Sequence, residues 1–129
     1  MTYRAALPQE AATITPGYSW QIVLDVLFDG ERPQDWEMWE IRMHVWTDEV
    51  SFKLTPGDGV SFEPIEDLEG ETFPRILPVI TMTAQQTEVL RGAKPAHYVI
   101  DFKAPGGERD DYFAGPLSRV FAPPSGMLQ

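Results

Sequence analysis

Cysteine is absent from the chain. Without it there is no disulfide framework, no thiol nucleophile and no thiolate metal site, and cysteine usage says nothing about compartment. Basic residues are scarce too: 10 Lys and Arg stand against 20 Asp and Glu, a formal net charge of −10. That balance excludes a protein that works by coating nucleic acid, because phosphate binding needs a surplus of Lys and Arg. It argues equally against docking on anionic membranes. Long hydrophobic runs are missing as well. The longest nearly unbroken one, Ile22 to Phe28, contains Asp25 and is too short to span a bilayer. The opening MTYRAALPQEAAT lacks the apolar stretch of a signal peptide, so a soluble protein made in the cytoplasm is expected.

What is present is a core. The 129 residues are 43% hydrophobic and 12% aromatic, too apolar for a disordered acidic chain and enough for one domain. Pro 12 and Gly 10 cut the sequence into short pieces, the punctuation of an all-β fold. Period-two alternation runs through Trp20, Ile22, Leu24, Val26 and Phe28, then through Trp39, Ile41, Met43 and Val45. It returns in Val50, Phe52 and Leu54 and in Tyr98, Ile100 and Phe102. Leu77 to Thr83 is β-rich, with Pro78 placing its start at a sheet edge or bulge. Tyr112 to Phe121 supplies a last strand broken at Gly115-Pro116. Trp36, Trp39, Met43 and Trp46 are also spaced as on one helix face, but the unbroken alternation from Trp39 to Val45 favours a strand. One short helix is predicted from Ala84 to Arg91, opened by a Thr83–Gln86 capping box and closed by Gly92. Residues Pro56 to Pro74 read as an irregular acidic loop with a short strand near Val60 to Phe62.

Few residues suggest chemistry. His44 and His97 are the only histidines, and neither has a nucleophile elbow or a zinc-binding helix near it. The carboxylates between Glu63 and Glu71 fit no EF-hand spacing and read as a solvated loop. Gly57-Asp-Gly59 and Gly106-Gly107 are turns rather than phosphate cradles, since neither leads into a helix with a lysine. The expectation is therefore a non-enzymatic protein with no cofactor and no metal. The aromatic residues carry more. Trp46 falls on the polar phase of its strand with Arg42 and His44, and Trp36 lies in the connection before it. Exposed tryptophans mark surfaces for protein or sugar, and the alternative is that both pack under a loop.

The order Ile80-Thr-Met-Thr-Ala-Gln-Gln-Thr-Glu-Val-Leu90, Gly92, Tyr98-Val-Ile-Asp-Phe102, Pro-Gly-Gly and Ala114-Gly115 resembles a pattern in small tailed-phage and prophage proteins. Ile14-Thr-Pro-Gly17 before a long apolar strand is similar to the opening of the same family. That family resembles the immunoglobulin-like N-terminal domain of phage baseplate upper proteins, and its members look like virion parts. The resemblance implies an immunoglobulin-like antiparallel β-sandwich with one short helical turn, over residues 12–122. An N-terminal arm over 1–11 and a C-terminal tail over 123–129 would flank it. Function is then expected to be that of a structural subunit of a tailed bacteriophage or phage-like particle, an adaptor or decoration protein of baseplate, tail, neck or head. It would be made in the host cytoplasm, reside in the virion and be oligomeric within the assembly, with other virion structural proteins as partners and no direct contact with nucleic acid or membrane. The expected partner interface comprises Trp36, Arg42, His44 and Trp46, with Tyr3, Leu7, Met127 and Leu128 contributed by the two ends. A carbohydrate-binding module in host recognition, with Trp36 and Trp46 as the stacking platform, is the alternative.

Overall fold

A computed structural model describes residues 3–28, 30–66, 73–92, 94–107 and 111–121. The protein is all-β with one short helix. Its strands are β1 (Tyr3–Ala5), β2 (Thr13–Ile14), β3 (Trp20–Val23), β4 (Glu40–Trp46), β5 (Ser51–Pro56), β6 (Gly59–Ile65), β7 (Arg75–Met82), β8 (Ala96–Lys103) and β9 (Asp111–Arg119). The alternation seen in the sequence becomes burial. Between β4 and β8, Ile41 faces Phe102, Met43 faces Ile100 and Val45 faces Tyr98, and all six are buried. Between β4 and β5, Met43 pairs with Leu54 and Val45 with Phe52. β3 adds Trp20 opposite Met82 and Ile22 opposite Ile80 on β7.

The strands form one sheet in the order β1-β9-β8-β4-β5-β6-β7-β3, with β2 also pairing β9. The corner lies at β5, whose Met43–Trp46 partners end at Leu54 and whose Thr55 and Pro56 pair instead with Gly59 and Val60. Gly59 is required there. Its φ is +104°, and a Cβ would come within 2.5 Å of Leu54 Cδ2. Past the corner the sheet curls, barrel-like, so that Trp20, Leu24 and Val26 from one end share a core with Phe113 and Leu117 from the other.

The helix α1 (Ala84–Glu88) begins as predicted. The Gln86 N–H donates to Thr83 Oγ1 at 3.1 Å and the Thr83 N–H to Gln86 Oε1 at 2.8 Å. It stops before the predicted Arg91, and the segment that follows it is secured from outside. The Arg119 guanidinium donates to the carbonyls of Leu90, Gly92 and Lys94. The buried Thr87 hydroxyl donates to Tyr18 O at 2.7 Å and accepts from the Gly17 N–H at 3.2 Å, tying the helix to the turn before β3.

Several expectations are corrected. Within the stretch expected as an arm, Tyr3–Ala5 pairs with the sheet, parallel to Asp111–Phe113, and beyond it Thr13–Ile14 runs parallel to Ser118–Arg119. The physical reason is that the outer edge of β9 would otherwise leave its backbone groups without a strand partner. Strand β9 is not broken at Gly115-Pro116. Pro116 falls between the stretches paired by β1 and β2, where a missing N–H costs no ladder bond on that side. Pro78 lies inside β7 between β6 and β3, where its carbonyl accepts from the Leu24 N–H at 2.9 Å. The region after Pro56 is more regular than predicted, with β6 extending to Ile65. Residues 67–72 of the acidic stretch, and the tail 123–129, lie outside the described residues.

The buried Tyr98 hydroxyl accepts from the Leu7 N–H at 2.6 Å. Burial pushes its pKa above the ordinary tyrosine value, with that N–H pulling the opposite way. A tyrosine in the unfolded chain ionises near pH 10. Above that pH the unfolded state loses its proton first, so stability is expected to fall as pH rises through the folded value. Denaturant melts between pH 8 and 11 check this: Tyr98→Phe should show a shallower alkaline loss than the parent.

Candidate functional site

The outward phase of β4 meets its neighbours in rows that the ladder register fixes. Trp46 lies between Ser51 of β5 and His97 of β8, and His44 between Lys53 and Val99. Arg42 lies beside Asp101, and Glu40 beside Lys103. Both histidines of the chain therefore flank one tryptophan. The His97 ring stacks on Trp46 with centroids 5.6 Å apart and planes 29° apart, and the His44 ring leans on it at 5.1 Å and 39°. Arg42 Nε donates to Asp101 Oδ1 at 3.1 Å. Together Arg42, His44, Trp46, Lys53, Val99 and Asp101 line an open cleft of about 300 Å³.

This face is polar but thinly partnered. Among the described residues, Lys53 takes part in no ion pair, and neither imidazole has a side-chain hydrogen-bond partner. A general base needs a group that orients it and a nucleophile to serve, and among the described residues the ring contacts of His44 and His97 are with Trp46. Among the described residues no cluster of His, Asp and Glu is arranged to hold a metal ion. What the arrangement offers is an apolar indole bordered by Arg42, Lys53 and two imidazoles.

Of the expected interface residues, the structure brings Arg42, His44 and Trp46 together. Trp36 is not among them. It sits on the 3-10 turn Trp36–Met38 before β4, 1% exposed, packed on Phe28, Trp39 and Phe102. Its position at the margin of an exposed surface is corrected: the turn folds it inward, beneath the connection. Leu7 lies elsewhere, half-buried in the seam between the two ends of the sheet, where Ile22, Val26 and Phe113 border a groove of about 320 Å³. Tyr3 belongs to β1 on the β9 edge. Met127 and Leu128 lie outside the described residues. Lys53, Val99 and Asp101 of the cleft, and His97 beside it, were not among the interface residues expected from the sequence. Alternation already puts Lys53 outward. His97 becomes recognisable once the alternation of Tyr98, Ile100 and Phe102 is carried one residue back, but its pairing with Trp46 depends on register.

No family model, no curated protein and no solved structure matches the chain.

Proposed function

We propose that this protein is a non-enzymatic assembly subunit that docks through the outer face of β4, with Trp46 as its anchor. The observation that carries the reading is the gathering of Trp46, both histidines, Arg42 and Lys53 on one exposed sheet face of a strongly acidic chain. A partly buried tryptophan with an arginine on the same face has the composition enriched among interface anchors. The sequence pattern from Ile80 to Gly115 extends this reading to a structural subunit of a tailed bacteriophage or phage-like particle, an adaptor or decoration protein residing in the virion. Its partners there would be other virion structural proteins, and it would be oligomeric within the assembly.

The strand order supports an immunoglobulin-like reading of the fold. Adjacency β9-β8-β4-β5 corresponds to strands G, F, C and C′ of a variable-type domain, and β6-β7-β3 to D, E and B. On this reading β1 and β2 run along G, and the corner at β5–β6 joins the two facing halves. The sugar-binding alternative is weakened by two findings: burial removes Trp36 from the platform, and the His97 ring covers part of the Trp46 face.

Trp46→Ala tests the docking role when thermal unfolding and incorporation into particles are measured separately. Incorporation is expected to drop by about thirtyfold, the effect of truncating an anchor worth roughly 2 kcal/mol, with little change in melting. Unchanged incorporation would place the docking surface elsewhere. A large loss of melting temperature would make Trp46 a packing residue.

A further inference from the structure

We infer that the Trp46 cleft takes a carboxylate-rich segment of a partner protein. The inference rests on the docking role proposed above and names the chemistry of the partner. Its first support is charge. The chain carries twice as many acidic as basic residues, yet Arg42 and Lys53 border this one cleft and both histidines border its tryptophan. Asp101, the carboxylate lining it, is already engaged by Arg42 at 3.1 Å. Lys53 and the two rings are thus left to meet an incoming anion. Glu40 shares the outward phase of β4 but sits at its far end, beside Lys103, and more distant charges are screened beyond about 8 Å at physiological salt. Local complementarity then decides which segment stays.

The second support is shape. Trp46 presents an apolar floor on which the methylene stems of glutamate can lie while their carboxylates reach the cations at the rim. A ring-stacking ligand finds less: His97 already lies over the indole at 5.6 Å. The third is what surrounds the cleft. Its charged lining groups are Lys53 from β5, Arg42 from β4 and Asp101 from β8. On β9 the positions in register with Val99 and His97 are the uncharged Ala114 and Pro116. An incoming carboxylate therefore meets two cations and a single carboxylate that Arg42 already holds.

The experiment uses the full chain and a short fluorescent peptide of alternating Glu and Gly, with Gln in place of Glu as the control. Anisotropy titrations are run at low and high salt, beside a neutral oligosaccharide. The Glu peptide is expected to bind about tenfold tighter than the Gln peptide, and to weaken by roughly threefold or more in high salt. Lys53→Gln should cost about threefold, the value of an exposed ion pair, and Trp46→Ala about tenfold or more. The variant Lys94→Gln removes a lysine that pairs with Glu49 and does not line the cleft, and should change nothing. Equal binding of the Glu and Gln peptides, or tighter binding of the oligosaccharide, would overturn the inference. So would indifference to Lys53→Gln, which is exposed enough to leave folding intact. If the peptide fails while Trp46→Ala still empties the particle of this subunit, the acidic partner is wrong and the docking role stands. If both fail, both are wrong.

Discussion

Trp36→Ala should destabilise the protein by about 3–5 kcal/mol, the usual cost of deleting a large buried aromatic side chain. The residue is 1% exposed, and its ring centroid lies 4.8 Å from Trp39 and 6.0 Å from both Phe28 and Phe102. Removing it opens a void among rings that cannot all collapse inward, because Trp39 is also held by its Nε1 donation to Asp35 at 3.0 Å. Trp36 carries a cost of its own, since its indole N–H has no acceptor among the described residues. An unsatisfied buried donor costs about 1–3 kcal/mol. Trp36→Phe deletes that donor while keeping much of the apolar volume, so its destabilisation should be far smaller. Chemical denaturation of the pair checks the assignment. Similar midpoints for Trp36→Ala and the parent would mean that the turn does not close over the core.

Removing residues 1–10 should cost roughly 2–4 kcal/mol, from the lost burial of Leu7 and the lost hydrogen bonds of β1. The deletion strips the partner from Asp111–Phe113 of β9 and the N–H donor from the Tyr98 hydroxyl. It also opens the seam at which Leu7 meets Ile22, Val26 and Phe113. Residues that pack this way belong to the folded domain. Thermal melts of the truncated chain should therefore shift down by several degrees. A truncated chain that melts with the parent would restore residues 1–11 as a separable arm.

The two cases show where the sequence was legible. Strands β4 and β8 could be read because each buries one face, and period-two alternation records that directly: Ile41, Met43, Val45, Tyr98, Ile100 and Phe102 all point inward. The helix could be read because a capping box is a local chemical arrangement, complete within Thr83 to Gln86. Trp36 could not. A three-residue 3-10 turn has no period, and its burial follows from Phe28 and Phe102, which approach it only after folding. Strand β1 was hidden for a similar reason, being a parallel pairing of Tyr3–Ala5 with residues more than a hundred positions later. Part of the cleft was visible as the outward phase of β4, which joins Arg42, His44 and Trp46. The rest, His97 and Lys53, arrives through cross-strand register, a long-range property that no local pattern encodes.

Docking of an acidic segment on the β4 face is tested most directly by nuclear magnetic resonance, with nitrogen-labelled protein titrated with the Glu peptide. Backbone amide shifts are expected to concentrate at Arg42 to Trp46, at Lys53 and at His97 to Asp101, with the Trp46 and imidazole signals moving most. Shifts gathered instead along the seam from Leu7 to Val26, or around the exposed Val89 and Phe121 beyond α1, would contradict it, as would no shifts at all.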